Sequence, residues 1–339
     1  MNPETYVLSS RVRLARNIKG IVFPNHMTHR DADKVIDEVV RAVSQGNKGM
    51  KDQFELRRMS QTDEFEKRRL LEQHLISKEL LRSPLGALYS QKNGPVSIMI
   101  NEEDHLRIQG IRRGYHLDEA YEDCSLIDAL LEEKIRFSFS KKYGYLTACP
   151  TNLGTGMRCS LLLHLPALSE LSYMPKLIEA LSKQGFTVRG LYGEGSHAQG
   201  NLFQLSNQVT MGHSEKELIR RLKLIVRDVL EKEENVEQYL KHTGGSSFID
   251  RIGRSSGALK YSYTMSQKEA MGLLSDIKLG YNLGWFQGVS GEDIKTALLE
   301  VGDSSLMRKD GRITIDEMRS RYLRDLFKNM ELEVREMKK

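Results

Sequence analysis

The chain has 339 residues, 39% hydrophobic and 29% charged, and its 51 basic against 46 acidic side chains leave a net charge of +5. That length allows a large core and two domains, or three at most. No apolar run approaches the length of a membrane span, and the opening MNPETYVLSSRVRLARN has no secretory core, so no membrane partner and a cytoplasmic location are expected. So small a basic excess supports no direct nucleic-acid partner, and Cys124, Cys149 and Cys159 have no metal-ligand spacing and suit no disulfide framework.

The first β-prone segment, Tyr6 to Ser10, delivers Arg11, Arg13 and Arg16. In a strand Arg11 and Arg13 share a face, and adjacent guanidinium groups repel unless an anion lies between them; the alternative is a solvated basic edge strand. A helix is predicted from an N-cap at Thr28, with Asp31 three residues on and apolar Ala32, Val35, Ile36, Val39, Val40 and Val43. A second runs from about Thr62 to Leu71. Gly86 to Gln91 and Val96 to Ile100 flank Asn93-Gly94 as a hairpin.

That hairpin leads into NEEDHLR, where Glu102, Glu103, Asp104 and His105 crowd three carboxylates and an imidazole before Arg107. Clustered acids beyond a buried strand point to something bound, and a solvated acidic turn is the alternative. Consecutive acids on an extended segment cannot all face one metal ion. An amphipathic helix over Tyr115 to Leu131 turns Cys124 to the core.

Strand-like Phe137, Phe139, Tyr143 and Tyr145 precede CPTNLGTGMRCSLLLHLP, which packs the Cys149 thiol, Gly154, Gly156 and Arg158 into ten residues before a buried apolar run from Leu161 to Leu165. It reads as an active-site loop or as a plain strand-turn-strand. Leu168 to Leu181 is predicted helical, and the strand FTVRG opens RGLYGEGSHAQGN, whose glycine spacing with no helix beginning inside excludes a dinucleotide fingerprint. It reads as a mobile loop with Arg189 at its base and Glu194 within it. A strand through Leu205 and Val209 and a helix capped by Ser214 and Glu217 follow.

The charged run EKEENVEQ, Glu231 to Gln238, marks a domain boundary, and beyond it every strong pattern is helical. Lys278, outside every motif, reads as a surface lysine. DGRITIDE near Asp310 mimics a calcium loop, but Leu306 and Arg308 stand where its first carboxylates belong.

SSRVR, NEEDHLR, CPTNLGTGMR and RGLYGEG, in this order, resemble the phosphagen (ATP:guanido) kinase family, and within it the bacterial protein arginine kinases. The resemblance implies that Arg11, Arg13, Arg107, Arg158 and Arg189 cradle the phosphates of Mg-ATP. Glu103 is then the catalytic carboxylate, Glu194 the loop carboxylate and Cys149 the active-site thiol, with no protein metal site. A guanidinium must lose a proton as it attacks phosphorus, which gives the two acids their task. Leu162 stands where the family's nucleotide-packing histidine would be. The first motif begins at Ser9, so the helical lobe that precedes it in creatine and arginine kinases is expected to be missing and the guanidine pocket open.

The expected fold is α+β: an antiparallel sheet flanked by helices over residues 1–235, then a smaller all-helical domain over 236–339 for dimerisation or substrate docking. The expected activity is phosphorylation of arginine side chains in proteins, giving phosphoarginine and ADP. By resemblance the partners are proteins with exposed arginine, a zinc-finger activator of the McsA type, a Clp ATPase in a stress response, and a second copy of the chain. Arg324 and Asp325, in a sequence close to Arg-Asp-x-x-Arg, are the candidate for phosphoarginine docking. A kinase for free arginine or another small guanidine, and an inactive nucleotide- or phosphoarginine-binding regulator, are the alternatives.

Overall fold

The computed structural model describes residues 2–46, 51–191, 198–306 and 313–333. Strand β1 (Val7–Arg16) is longer than the sequence pattern predicts and contains Arg11, Arg13 and Arg16. Helix α1 (His29–Gly46) begins where expected: the Thr28 hydroxyl accepts the Asp31 N–H at 3.2 Å, and the Asp31 carboxylate accepts the Thr28 N–H at 3.1 Å. Strand β2 (Phe54–Arg58) precedes helices α2 (Glu64–Glu72) and α3 (Lys78–Arg82), capped by Asp63 and Ser77. The hairpin around Asn93-Gly94 forms as strands β3 (Ala87–Gln91) and β4 (Val96–Ile100), followed by β5 (Leu106–Arg113). Helix α4 (Leu117–Glu132) buries Cys124, and β6 (Phe139–Ser140) pairs with β7 (Gly144–Tyr145) ahead of β8 (Met157–His164).

The single helix expected over 168–181 is two, α5 (Pro166–Glu170) and α6 (Met174–Lys183). Pro175 lacks an N–H and its ring excludes a continuous helix through Leu171, so the chain turns at Ser172, φ 56°. Strands β9 (Phe186–Gly190) and β10 (Leu202–Asn207) follow, the latter ending before Val209, which is exposed. Helix α7 (Glu215–Thr243) runs unbroken through the charged 231–238 segment. Then come α8 (Gly245–Tyr261), α9 (Gln267–Asn282), β11 (Phe286–Gln287), α10 (Gly291–Glu300), α11 (Asp303–Leu306), α12 (Ile315–Phe327) and β12 (Glu331–Leu332). No helix among the described residues is long and apolar enough to cross a membrane.

Two units divide the chain. One comprises Ser9–Leu161 and Ser206–Lys223. Its strands lie in the order β2-β3-β4-β5-β1-β8, and the pairs β2·β3, β3·β4, β4·β5 and β1·β5 are antiparallel. Residues directly opposite in an antiparallel pair share a face. The β1·β5 register sets Arg13 opposite Gln109 and Ala15 opposite Arg107, so Arg11, Arg13 and Arg107 project from one face. Met59, Leu70, Ile76, Leu80, Leu88 and Met99 form a core cluster in this unit.

The other unit comprises Met1–Leu8, Leu162–Leu205 and Leu224–Lys339. Ile252, Leu274, Ile277, Leu323 and Phe327 belong to its core, and among the described residues the elements beyond α7 are helices apart from the two-residue β11·β12 pair. Two charges of the EKEENVEQ run are buried. Glu233 accepts the N–H groups of Ala167 at 2.6 Å and Leu168 at 2.9 Å, and burial pushes its carboxyl up to about 8. Glu237 accepts the Tyr6 hydroxyl at 2.8 Å. Lys278 is no surface residue either: it is 1% exposed, donates to Asn282 Oδ1 at 2.5 Å, and burial pulls its ammonium down to about 8. These polar groups sit inside because each has a hydrogen-bonding partner.

Candidate active site

Arg11 and Arg13 alternate along β1, Arg107 lies across β5, and Arg158 stands on the neighbouring β8, where its guanidinium donates to Ser206 Oγ at 3.0 Å. Burial, then Arg107 and Arg158, pulls the Arg11 guanidinium down to about 10. Burial, then Arg11, Arg107 and Arg158, holds Arg13 well below its ordinary value, opposed only by Glu102. The Nε atoms of Arg13 and Arg107 are buried with no hydrogen-bond partner. A buried donor left unpaired is destabilising, and the like charges that depress Arg11 and Arg13 are offset by an anion of several charges. A polyphosphate fits that cradle.

His74, which sequence reasoning passed over, belongs here. Burial, then Arg11 and Arg13, pulls its imidazole down to about 4, so the ring is neutral beside the cradle. Its carbonyl accepts the Gln109 amide at 2.8 Å, and its φ of 58° places it in a tight turn after α2. The only sequence signal was a histidine at the exit of a short helix.

The NEEDH turn gives each residue a separate task. Asn101 takes φ 57°, a conformation asparagine tolerates, and its amide donates to the carbonyls of Ala32 at 3.1 Å and Leu85 at 3.3 Å. Glu102 accepts Arg107 Nη1 at 2.8 and 2.9 Å and also takes the Ser77 hydroxyl. Asp104 Oδ1 accepts Asn17 Nδ2 at 2.6 Å and the Ala148 N–H at 2.7 Å. His105 Nδ1 accepts the Ile18 N–H at 2.9 Å, and the ring's other nitrogen donates to the Val22 carbonyl at 2.8 Å. Glu103 alone of the three acids is exposed; partial desolvation, then Asp104 and Glu102, holds its carboxyl above the ordinary range.

Asp104 also ties this turn to the segment leading into Cys149, because Ala148 is the preceding residue. Glu103 and Cys149 therefore flank one hydrogen bond. The Cys149 Sγ is half-buried and 3.0 Å from Thr151 Oγ1. The following turn needs its glycines. Gly154 sits at φ 104°, and a Cβ there would lie 2.7 Å from the Thr210 carbonyl oxygen; Gly156 sits at φ 62°, and a Cβ there would lie 2.6 Å from the Ala15 carbonyl oxygen.

The structure thus brings Arg11, Arg13, Arg107, Arg158, Glu103 and Cys149 into one unit. Arg189 lies on β9, exposed, in the other unit, and Glu194 falls outside the described residues. Arg16 takes no part in the cradle: it is fully buried, paired with Asp128 at 2.7 Å, with its guanidinium 3.5 Å over the Tyr145 ring. Cys124 and Cys159 are buried with thiols pushed up by desolvation, the latter to about 12. Leu162 is buried in a core cluster. On α12, Arg324 donates to the Ser262 carbonyl at 2.6 Å, whereas Asp325 lines a cavity of about 490 Å³ with Arg321 and Tyr322. Among the described residues no group of three His, Cys, Asp or Glu side chains could hold a metal ion.

Residues 34–236 match the family model for the ATP:guanido phosphotransferase C-terminal catalytic domain, and residues 246–338 match that for the protein-arginine kinase McsB C-terminal domain. The chain is 42% identical over 307 residues to a protein-arginine kinase of Halothermothrix orenii, covering 90% of this chain and 87% of that protein. It is 39% identical over 305 residues to the protein-arginine kinase of Bacillus subtilis, covering 90% and 84%. Among solved structures, lombricine kinase superposes with a TM-score of 0.60 at 23% identity, covering 70% of this chain and 69% of that one. The duplicated taurocyamine kinase of Schistosoma mansoni, with bound transition state analog components, superposes with a TM-score of 0.63 at 22% identity, covering 76% of this chain; this chain spans 38% of that one's length. These two likenesses establish the guanidino kinase fold.

Proposed function

Because the chain belongs to the protein-arginine kinase family of ATP:guanido phosphotransferases, we propose that it transfers the γ-phosphoryl group of Mg-ATP to arginine side chains of proteins, giving phosphoarginine and ADP. The observation that carries this reading is the pairing of two unlike halves. Four guanidinium groups with two orphaned buried donors stand in the same unit as an exposed carboxylate and a half-buried thiol joined across the Asp104–Ala148 hydrogen bond.

Arg11, Arg13, Arg107 and Arg158 hold the polyphosphate and stabilise the charge that spreads over the γ-phosphoryl oxygens as transfer proceeds. Glu103 grips the incoming guanidinium, aligns its nitrogen with phosphorus and accepts the proton it loses. The N–P bond forms as the bond from phosphorus to the ADP oxygen breaks. Cys149 holds the guanidinium from a second side. His74, neutral between the arginines and the α2 turn, donates to the nucleotide. Arg189 and Glu194 are assigned the fifth phosphate contact and the second carboxylate, and Mg²⁺ arrives with ATP.

The region 236–339 is assigned to dimerisation or substrate docking, with Arg324 and Asp325 as a phosphoarginine site. The partners we propose are a zinc-finger activator of the McsA type and a Clp ATPase, in a cytoplasmic stress response.

ADP release measured side by side on an arginine-containing protein and on free arginine tests the substrate class. Among the described residues Glu103 is exposed, which suits a side chain projecting from a protein surface. We expect kcat/KM at least about tenfold higher for the protein, roughly 1.4 kcal/mol. Parity, or a preference for the free amino acid, overturns the reading.

A further inference from the structure

A second group of cations lies apart from the cradle, where α1 meets the chain leaving α4. Lys34 and Arg41 of α1, Lys19 after β1, and Lys134 and Arg136 after α4 line one cavity of about 410 Å³. The buried side chains of Ile18, Ala42 and Ile135 supply its apolar part. Among the described residues Glu38 is the one acid lining it, 4.0 Å from Lys34, and no ion pair joins the other four cations. Arg11, Arg13, Arg107 and Arg158 lie outside it. Along β5 successive residues face opposite ways, and a Cβ on Gly110 would lie 2.6 Å from the Ala120 carbonyl oxygen of α4. Helix α4 therefore covers the sheet face away from Arg13 and Arg107, and α1 packs on α4.

We propose that this cavity is a second anion site, that it takes a compact polyphosphate, and that its occupancy is felt at the turn carrying Glu103. A cleft lined by charges of one sign concentrates their field, and an anion of several charges gains from all five cations at once. Those cations converge from three segments on one concavity of the size of a small-molecule site, which suits a compact anion; an acidic peptide would be met by cations along an extended track. The link to the turn is direct. On one side Asn17 Nδ2 donates to Asp104 Oδ1 at 2.6 Å, and the Ile18 N–H donates to His105 Nδ1 at 2.9 Å. On the other the Lys19 N–H donates to the Arg136 carbonyl at 2.8 Å, and Ile18 bridges to Phe137. An anion that draws Lys19 and Arg136 together therefore acts on the hydrogen bonds that hold Asp104 and His105 beside Glu103.

Isothermal titration of the full chain with tripolyphosphate counts the sites, and the native protein is expected to show two, the cradle and this cavity. Lys134→Ala with Arg136→Ala should weaken one of them about tenfold or more, the scale of losing charge-assisted hydrogen bonds, and Lys34→Ala with Arg41→Ala should weaken the same one. Arg158→Ala should weaken the other. These four residues of the cavity are exposed, so an unchanged thermal melt is expected of both double variants. In the Arg158→Ala protein, filling the cavity should still move the His105 ring resonances by NMR, and adding Lys134→Ala with Arg136→Ala should abolish that shift. A single site that Arg158→Ala alone removes, affinities unchanged in both double variants, tighter binding of a hexaglutamate peptide than of tripolyphosphate, or an unmoved His105 ring would overturn the inference. Binding is read without turnover, so its failure leaves the proposed phosphoryl transfer standing.

Discussion

Replacing Glu103 by glutamine, with Glu102→Gln as its partner experiment, separates the two adjacent acids by what each touches. Glu103 is exposed and accepts no hydrogen bond from the cradle, so its loss should leave folding and nucleotide binding nearly unchanged and fall on the chemical step. General base catalysis contributes about 10² to 10⁴ in rate, and kcat is expected to drop within that range, about 3 to 5 kcal/mol of barrier, with KM for ATP within about twofold. Glu102 behaves differently. Its side chain is 2% exposed and holds Arg107 at 2.8 Å, so removing its charge weakens a largely buried ion pair. Complete loss of a buried partner costs about 3 to 5 kcal/mol; glutamine keeps one acceptor, so a loss of about 1 to 3 kcal/mol of stability is expected, read as a lowered Tm. A coupled assay of ADP release and a thermal melt suffice. The pH profile adds a second reading. Glu103 acts as a base only when ionised, so kcat/KM should fall as pH drops through its raised pKa, and Glu103→Gln should flatten that limb. Turnover of Glu103→Gln within about threefold of the native protein would refute the assignment of the base.

Arg158→Ala should lower kcat/KM for ATP by about 10² to 10³, the scale of losing one preorganised donor to a transition state. Lys183→Ala, at a lysine side chain that is 73% exposed, should leave it within about twofold; equal effects would count against the cradle. His74→Ala should raise KM for ATP about fivefold or more, whereas an unchanged KM would remove His74 from the nucleotide site. In the free protein the His74 ring should titrate near 4 by NMR and shift upward once bound phosphates offset Arg11 and Arg13, and an unshifted titration would contradict the contact. Because its folded value lies below the ordinary 6.5, His74 stabilises the fold fully above about 6.5, and that contribution is lost as pH falls towards 4. His74→Ala should therefore flatten the dependence of Tm on pH across that window, and an unchanged slope would place the loss elsewhere.

The sequence was most legible where local chemistry repeats with a simple period. The alternation of Arg11 and Arg13, the Asn93-Gly94 hairpin and the α4 pattern that buries Cys124 are all found as read. Legibility failed where the decisive partner lies far along the chain. Lys278 reads as an ordinary lysine, and only Asn282, Glu237 and the packing around α9 account for its burial. Glu233 sits in the charged run read as a domain boundary, yet it is buried and satisfies the N–H groups of Ala167 and Leu168. At the site, NEEDH gave the crowding of acids but not their division of labour, which depends on Ser77, Asn17 and Ala148. His74 was hidden for the same reason, since its meaning comes from strands whose register no local pattern reveals.

This chain is expected to form a nitrogen–phosphorus bond on arginine. Incubation of the protein with Mg-ATP and a peptide holding one arginine, read by ³¹P NMR and by mass spectrometry before and after mild acid, measures that bond directly. An acid-labile phosphoryl group on the guanidino nitrogen is expected, formed together with ADP and absent when the arginine is replaced by lysine. ADP released without a phosphorylated arginine, or an acid-stable phosphate on a hydroxyl side chain, would contradict it.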